Sequence, residues 1–532
     1  MQLVILHYHL NRGGVARVVE NQLLALAEAQ VPLEQVLVLH GGRADGWPHE
    51  HLARQLPFPL QTSSIPGLDY DSVNGDSVNG AVVERATSLT GKIVDAVKQA
   101  GCVDSRTLLH WHNHALGKNG AVPLVVTALC RRGLRMLLQI HDFAEDLRPD
   151  NYQHLTAALT AGQIDRLPEV LYPQSAAIHY AVLNGRDRQL LNNTGIIGQR
   201  LHLLPNPVSS PPAPTTHKTS ARQQLAKLLD MPIDATWITY PVRGIRRKNL
   251  GEMLLWSIAT SVPATGPVWL HVTLSPQNPA EQTSFRRWQR LAEQLNLPCR
   301  FGSPANGQVS YEQVLSACDL LLTTSVAEGF GMVFLECWLA GKQLLGRDLP
   351  EITTDFRQAG IRLEPLTPEL AIPTAWIDRD QLDQSLEMLY HQLLAQYGQQ
   401  PPDTPTGASP FAPLLEKPTT DFARLPAQLQ AGIIRRVHLN SKDQAQLRNL
   451  NPQLDLASND SLGPRAREQI DANRTVVKRT YSLTCIGRQL GAIYTRLLET
   501  KPSPHIHSLP HGKSLLESLL RADRLYPIRI ES

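Results

Sequence analysis

The chain has 532 residues, 42% of them hydrophobic, which predicts two or three domains with ordinary globular cores. Its 51 basic and 48 acidic residues give a formal net charge of +3, so neither a nucleic acid nor an anionic membrane is expected as a partner. The N-terminus lacks a basic signal region, and no apolar run approaches the roughly 20 residues of a membrane span. We therefore expect a cytoplasmic location and no transmembrane segment.

The first 200 residues alternate short apolar runs with longer amphipathic runs. This alternation predicts a parallel sheet with helices on both faces. A tandem repeat over 71–80, with two Asn-Gly steps, predicts a surface loop. The predicted strands are 3–7, 35–39, 108–111, 136–140 and 177–183, and the predicted helices are 15–29, 121–132 and 186–193.

The second half repeats this alternation after a break at Leu204-Pro205-Asn206-Pro207. Its predicted strands are 237–240, 268–272 and 320–324, and its predicted helices are 249–260, 285–295, 311–317 and 331–339. We assign an N-terminal Rossmann-like domain to 1–205 and a C-terminal Rossmann-like domain to 206–400. A Pro-rich linker or insertion is expected over 401–420 and a helical region over 421–532, where the apolar stripe in 482–499 should cover one of the two sheets.

The most informative segment is Ser325-Val-Ala-Glu-Gly-Phe-Gly-Met-Val-Phe-Leu-Glu336, which follows a predicted strand and opens a predicted helix. Gly-Phe-Gly at such a turn exposes backbone amides that suit a phosphate. Glu328 lies at the mouth of the turn, and Glu336 is expected two turns into the helix. Together the two carboxylates can accept hydrogen bonds from sugar hydroxyls. For either glutamate alone, a structural role would be the simpler interpretation.

A second segment, Arg243-Gly-Ile-Arg-Arg-Lys-Asn249, follows the first strand of the second half. Ligands of parallel sheets bind beyond the carboxyl ends of the strands, and cations placed there can neutralise a diphosphate. Both Arg243 and Lys248 are expected at the surface of the presumed cleft. The alternative is a solvated basic loop.

Three sites in the first half also follow predicted strands. His141 ends one strand, and His110-Trp-His112-Asn113-His114 ends another. Gly13-Gly14 lets a backbone come close to a ligand. For the histidines the alternatives are structural hydrogen bonds or a polar wall facing an acceptor.

No metal site is predicted. The six cysteines have no metal-ligand spacing and are expected to be free thiols, and the histidine cluster lacks a further ligand nearby. The tripeptides Asp69-Tyr-Asp71 and Asp378-Arg-Asp380 are short enough to arise by chance.

Together these segments resemble the family 4 glycosyltransferases, which are retaining enzymes of the GT-B fold. Glu328-Gly-Phe-Gly followed by Glu336 resembles the family's E-x7-E motif, and Arg243 and Lys248 resemble its paired phosphate-binding cations. Gly13-Gly14 and His141 resemble its glycine loop and its active-site histidine. The resemblance covers most of 1–365 and the helix near 480–500. It implies two Rossmann-like domains facing across a cleft, with C-terminal helices crossing back.

The resemblance also implies the roles of the candidate residues. The substrate would be a nucleotide sugar such as a UDP-, GDP- or ADP-hexose, with no further cofactor. Arg243 and Lys248 would bind its diphosphate and Glu336 its ribose, while Glu328 and the segment Gly329-Phe330-Gly331 would bind its hexose. His141 would contact the sugar, and Gly13 and Gly14 would approach the diphosphate.

A small polar or carbohydrate acceptor would lie near His112, Asn113, His114 and Lys118. The catalytic set would be His141, Glu328, Arg243 and Lys248, without a metal. Other GT-B enzymes, such as an epimerase or a phosphorylase, and a non-catalytic nucleotide-sugar sensor remain the alternatives. The oligomeric state is left open.

Overall fold

The computed structural model describes residues 1–71, 79–160, 163–210, 218–260, 267–302, 309–402, 409–456 and 460–531. Most of the tandem repeat, 72–78, and part of the Pro-rich stretch, 403–408, lie outside these ranges. The chain divides into two compact units. Unit 1 comprises Met1–Ser209, Leu393–Gln400 and Arg479–Arg521, and unit 2 comprises Ser210–Gln392, Pro401–Lys478 and Ala522–Ser532.

The N-terminal part of unit 1 alternates strands and helices as predicted. Its strands are β1 (Gln2–Leu6), β2 (Gln35–His40), β3 (Leu60–Ser64), β4 (Thr107–His112), β5 (Arg135–Ile140), β6 (Ile178–Val182) and β7 (Leu201–Leu203). Its helices are α1 (Gly14–Glu28), α2 (His49–Gln55), α3 (Asn79–Gln99), α4 (Val122–Arg131), α5 (Pro149–Leu159), α6 (Leu167–Leu171) and α7 (Gly185–Asn193).

Among the described residues, these seven strands form one parallel sheet in the order β3-β2-β1-β4-β5-β6-β7. Every residue of β1, β4 and β6 is buried, as expected for strands covered on both faces. Because the strands are parallel, the turns after β1, β4 and β5 all lie at one edge of the sheet.

Unit 2 repeats this architecture. Its strands are β8 (Thr236–Arg243), β9 (Val268–Leu274), β10 (Cys299–Phe301), β11 (Leu320–Thr323), β12 (Leu344–Arg347), β13 (Leu366–Thr367), β14 (Ala371–Pro373) and β15 (Thr419–Asp421). Its helices are α8 (Lys218–Leu229), α9 (Leu250–Ala259), α10 (Pro279–Gln294), α11 (Tyr311–Ala317), α12 (Val333–Leu339), α13 (Pro350–Gln358), α14 (Arg379–Gln396), α15 (Ala412–Leu415), α16 (Ala427–Leu439), α17 (Ser441–Leu450) and α18 (Pro464–Thr480). The last residues of α14 and α18, from 393 and from 479, belong to unit 1.

The main sheet of unit 2 has the order β10-β9-β8-β11-β12-β13 within the described part of the chain, and its strands are parallel. β14 and β15 form a separate antiparallel pair. Arg347 at the end of β12 is 1% exposed and donates to Glu252 on α9 and to Asp421 on β15. This buried network joins the small sheet to the main one.

The chain then returns to unit 1 through α19 (Leu483–Glu499) and α20 (Lys513–Leu519). The apolar stripe of α19 packs with α1 and with the strands of unit 1 in one hydrophobic core. A Cβ at Gly487 would lie 2.0 Å from the carbonyl oxygen of Ala25, so glycine permits this close approach of α19 to α1. The expected helical region 421–532 is therefore shared between the two units.

The predicted α/β architecture with two Rossmann-like sheets is confirmed. Several details differ from the prediction, and four of them have a clear physical reason. β3 was missed because its sequence, Leu-Gln-Thr-Ser-Ser, is polar and mostly exposed at the edge of the sheet. α3 begins at Asn79, inside the predicted loop. α10 begins at Pro279, since Asn278 caps it with a side-chain hydrogen bond from Ala280 N. α12 begins at Val333 rather than at 331.

None of the described helices is long and apolar enough to cross a membrane. The described cysteines are all free thiols, as expected, and five of the six are buried.

Candidate functional site

The end of β8 and the loop after it carry the candidate cations of unit 2. Residues 246–248 form a single 3-10 turn, and Asn249 continues from it into α9 with a left-handed φ of +47°. Asparagine adopts this conformation more readily than most residues. A Cβ at Gly244 would lie 2.5 Å from Cδ2 of Phe285, so glycine lets the loop pack against α10. The residue types at 244 and 249 therefore suit the shape of this loop.

The turn after β11 carries the two candidate glutamates. Gly331 has φ of +79°, and a Cβ there would lie 2.6 Å from Cδ2 of Phe334. Because a right-handed helix cannot pass through a residue with this φ, α12 begins only at Val333, and Glu336 lies in its first turn. The expectation that Glu336 lies two turns into the helix is wrong for this reason.

Hydrogen bonds join these two loops directly. The Thr324 hydroxyl donates to the carbonyl oxygens of Lys248 and Asn249, at 2.9 and 3.2 Å. Val326 N donates to the carbonyl oxygen of Arg247 at 2.9 Å. Tyr240 OH donates to the carbonyl oxygen of Lys248 at 3.1 Å. The tertiary structure therefore joins the two motifs into one site.

The side chains of Lys248 and Glu328 form an ion pair across the two loops. They are only 11% and 8% exposed, and Arg247 Nη2 lies 3.8 Å from the second carboxylate oxygen of Glu328. Burial acts to raise the pKa of Glu328, but the charges of Lys248 and Arg247 outweigh it and hold the pKa below its usual value. Burial lowers the pKa of Lys248, and the charge of Glu328 partly offsets this effect. The Glu328 carboxylate is therefore held in its ionised form beside the two cations.

Burial of Lys248 contradicts the expectation of an accessible cation. The loop folds back on the 324–328 turn, so the ammonium contacts Glu328 and little of the side chain is exposed. Arg243 differs, because it is half-buried and its guanidinium has no hydrogen bond or ion pair with any described residue. The neighbouring Arg246 donates from its backbone N to Glu281 at 2.7 Å. Within the described loop, Arg243 is thus a cation without an acidic partner.

The remaining donor candidates lie in the same turn or next to it. Phe330 is buried, with its ring 5.5 Å from that of Phe356, and so anchors the turn. Gly331 is buried, while Gly329 and Glu336 are half-buried. Unit 2 therefore brings together Lys248, Glu328 and the Gly-Phe-Gly turn that the sequence predicts as one site.

In unit 1 the Gly13-Gly14 turn begins α1 and is exposed. Gly13 has an extended backbone that any residue can adopt, and a Cβ at Gly14 would meet no atom within 4 Å. Neither the backbone nor the packing of unit 1 requires glycine here. The space beside this turn is thus open for a ligand.

The candidate histidines of unit 1 form a buried stack at the C-terminal edge of its sheet. The His112 ring stacks on His110 and on His141, and its Nδ1 lies 2.9 Å from Nε2 of His141. Burial lowers the pKa of His141 to about 4 and that of His110 to about 3, and it holds the pKa of His112 well below its usual value. These imidazoles are therefore neutral at pH 7.

The acceptor candidates occupy different environments. Asn113 has a φ of +58°, and its side-chain oxygen accepts from His141 N at 2.7 Å, so it orients the histidine turn. His114 is fully buried, with Nε2 2.8 Å from the carbonyl oxygen of Leu171. The Lys118 ammonium is half-buried and lies 5.5 Å from the centre of the Tyr70 ring. Lys118 is thus the accessible member of this group.

Sequence reasoning missed the hydroxyl groups that hold the unit 2 site together. The hydroxyl oxygens of Tyr240 and Ser325 lie 2.7 Å apart. Thr324 donates to the segment 243–249, which we call the cation loop. A signal was available, since polar residues at the carboxyl end of a buried strand rarely lie there by chance.

Both carboxylates of the Asp69-Tyr-Asp71 tripeptide contact other side chains of unit 1. Asp69 pairs with Arg43, and Asp71 pairs with Arg85 and His154. Among the residues that the structure describes, no group of three or more His, Cys, Asp or Glu side chains is arranged to hold a metal ion.

The chain is similar in sequence to one curated protein, the mannosylglucosyl-3-phosphoglycerate synthase of Petrotoga mobilis. The two are 28% identical over 364 residues, which is 67% of this chain and 66% of that protein. The chain therefore matches slightly less than two-thirds of the length of this relative. No protein-family model matches the chain.

Solved structures with similar folds include a glycosyltransferase from Rickettsia africae, with a TM-score of 0.53, 11% identity and 94% and 98% of the two chains covered. HepE from Anabaena in complex with UDP-glucose has a TM-score of 0.50 and 14% identity, over 93% and 99%. The N-terminal domain of trehalose-6-phosphate phosphatase from Candida albicans has a TM-score of 0.55 and 10% identity, over 93% and 96%. At these identities the likeness concerns the fold alone, which is the GT-B class.

Proposed function

We propose that the chain is a glycosyltransferase that moves a hexose from a nucleoside diphosphate sugar to a hydroxyl of a small polar or carbohydrate acceptor. The observation that carries this proposal is the contact between Lys248 and Glu328 in unit 2. The contact supports the proposal because the carboxylate that we assign to the hexose lies directly beside the cation loop. Arg243 in the same loop has no described acidic partner and can receive a phosphate.

In this proposal the residues act on three different parts of the donor. Arg243 and Lys248 stabilise the negative charge that develops on the departing diphosphate. Glu328 and the Gly329–Gly331 turn orient the hexose, while Glu336 accepts hydrogen bonds from the ribose. The roles of His141, Gly13 and Gly14 towards the sugar and diphosphate stay predictions.

The reaction that we propose is a front-face displacement, as in the retaining family 4 glycosyltransferases. The acceptor oxygen bonds to the anomeric carbon on the face that the diphosphate leaves, and the bond from that carbon to the phosphate oxygen breaks. The acceptor proton passes to the departing phosphate oxygen. Fixed cations supply the charge stabilisation that a metal ion supplies in other enzymes.

The sequence relative supports the choice of acceptor class. Its name describes a product with a 3-phosphoglycerate group, which is a small polar molecule. We therefore propose an acceptor of this kind, or a sugar, at the C-terminal edge of the unit 1 sheet near Lys118. A cytoplasmic location fits such substrates and stays part of the proposal.

Calorimetry with UDP-, GDP- and ADP-hexoses identifies the donor, and acceptors such as glycerate, 3-phosphoglycerate and glucose are then screened for nucleotide release. Proton NMR of the product shows whether the anomeric configuration is retained. An altered nucleotide sugar formed without acceptor indicates an epimerase. Turnover that depends on inorganic phosphate indicates a phosphorylase, and binding without turnover on any acceptor indicates a sensor. Any of these three results contradicts the proposal.

A further inference from the structure

His112 lies beside His141 at the C-terminal edge of the unit 1 sheet. It ends β4, and His141 follows the last residue of the neighbouring strand β5. The two rings stack with an angle of 26° between their planes, and Nδ1 of His112 lies 2.9 Å from Nε2 of His141. The side chain of His112 is fully buried, whereas His141 is 6% exposed. His112 is therefore not placed to touch a bound acceptor, and a functional role for it must act through a neighbour.

The contact with His112 leaves one ring nitrogen of His141 for a ligand. Among the described residues, Nδ1 of His141 has no hydrogen-bond partner, and it is not one of the buried side-chain atoms that lack a partner. This nitrogen is therefore on the side of the ring that reaches the surface. The backbone N of His141 donates to Oδ1 of Asn113 at 2.7 Å. His112 and Asn113, which are adjacent in the chain, thus hold the ring and the backbone of His141.

Stability alone does not explain a histidine at position 112. Its second ring nitrogen, Nε2, is buried and has no hydrogen-bond partner in the part of the chain that the structure describes. An unpaired buried polar atom destabilises a fold, whereas a leucine side chain would fill this place without that cost. The contact from Nδ1 to His141 is what leucine could not provide.

We propose that His112 is a positioning residue for His141 and not part of an acceptor site. The hydrogen bond between the two rings fixes the ring plane of His141 and determines which of its nitrogens carries the proton. This inference rests on the proposed function, in which His141 contacts the transferred sugar. Misplacing a group at the reacting centre by about 1 Å can cost on the order of 100-fold in rate, so loss of the bond should lower turnover.

Three substitutions at position 112 test the bond itself. The amide oxygen and nitrogen of asparagine lie two bonds beyond Cβ, as Nδ1 of histidine does, so His112→Asn can still bond to His141. Those of glutamine lie three bonds beyond Cβ, as Nε2 does, so His112→Gln is polar but misplaced. His112→Leu removes the bond. The donor is whichever of UDP-glucose, GDP-mannose and ADP-glucose the wild type uses, and thermal unfolding checks the folding of each variant.

His112→Leu and His112→Gln are expected to lower kcat by about 10- to 100-fold, while His112→Asn stays within about three-fold of wild type. Calorimetry should find the free nucleotide bound normally by all three, because it carries no sugar.

His179→Leu is the matched control. Nδ1 of His179 lies 3.0 Å from Nε2 of His202, which is the same kind of contact, but His179 pairs with Leu137 inside β5 and not with the turn after it. This variant should lose stability and keep kcat within about three-fold of wild type, since distant sites act independently.

A double-mutant cycle shows whether His112 acts through His141. His141→Leu should lower kcat by about 100-fold, and adding His112→Leu should lower it no further, because the bond is already absent. A merely structural defect would act independently, and the two losses would then multiply. If His112→Leu does not fold, His112→Gln takes its place in the cycle.

The inference is overturned by losses that multiply, by equal turnover of His112→Asn and His112→Gln, or by wild-type turnover of His112→Leu. Wild-type turnover of His141→Leu overturns the role of His141 together with the inference. A wild type that transfers sugar from none of the three donors overturns the proposed function itself.

Discussion

The Lys248 ammonium contacts the Glu328 carboxylate although 80 residues separate them in the chain. Both side chains are buried, so each provides the main compensation for the other's charge. This contact brings the residue proposed for the diphosphate against the residue proposed for the sugar. It also means that the two cations of the loop should respond differently to mutation.

Arg243→Ala should lower turnover by about 100-fold, the typical loss for one charge donor in a transition state. Because Arg243 has no polar partner among the described residues, unfolding free energy should change by less than about 0.5 kcal/mol. Initial rates and thermal unfolding provide the two measurements. Arg467→Ala, at an exposed position of α18, is the control and should change neither. Wild-type turnover in Arg243→Ala would remove the diphosphate assignment.

Lys248→Ala should lower turnover by at least about 100-fold and also destabilise unit 2. Breaking a fully buried ion pair costs about 3–5 kcal/mol, and Arg247 beside Glu328 should reduce this to on the order of 2 kcal/mol. The free energy of unfolding should therefore be lower for Lys248→Ala than for Arg243→Ala. Equal stability of the two variants would contradict the structural role of the ion pair, and Lys227→Ala, exposed on α8, controls for loss of charge.

The two glutamates should fail differently. Glu336→Gln should mainly raise the donor KM, because a ribose contact is nearly the same in the ground and transition states. Glu328→Gln should lower kcat by on the order of 100-fold, since misplacing the hexose by about 1 Å can cost that much. Calorimetry should find free nucleotide bound almost normally by Glu328→Gln. If Glu328→Gln loses the nucleotide and Glu336→Gln keeps it, the roles are reversed.

Activity should survive EDTA, because the proposed charge stabilisation comes from fixed side chains. Asp69 and Asp71 are already committed to Arg43, Arg85 and His154. Rates measured after chelation, and again after addition of Mg²⁺ or Mn²⁺, check this expectation. Complete loss with EDTA, restored by either ion, would assign a metal to the reaction.

Acid should destabilise unit 1 through its buried histidines. Burial lowers the pKa of His114 and His141 to about 4 and that of His7 and His110 to about 3, against about 6.5 in the unfolded chain. Between pH 6.5 and 4 the unfolded state therefore binds more protons, and stability is lost as the pH falls through this window. At pH 5 each such imidazole costs at most about 2 kcal/mol.

His114→Gln tests this effect, since the glutamine amide can still donate to the carbonyl oxygen of Leu171. Thermal unfolding at pH 7.5 and at pH 5 should show a smaller decrease in stability at the lower pH for this variant than for wild type. His438→Gln replaces an exposed histidine of unit 2 and should match wild type. An equal decrease in stability in all three proteins would show that His114 does not contribute to the acid sensitivity.

The sequence alone determined the alternation of strands and helices, because apolar periodicity depends only on neighbouring residues. It also predicted where candidate ligand-binding residues follow strands, at 243–248 and at 328–336, since parallel strands place such residues at one edge of the sheet. The sequence did not predict the edge strand β3, because that strand is polar. It also did not predict the start of α12, which depends on the backbone conformation of Gly331.

Only the tertiary structure decided which of these residues meet. In the tertiary structure Lys248 contacts Glu328 and His114 is buried against Leu171. The helix α19 belongs to unit 1, and Glu531 near the end of the chain contacts Arg246 of the cation loop. Each of these relationships joins residues far apart in the chain. Ion pairing and close packing act through space, so no local pattern along the sequence encodes them.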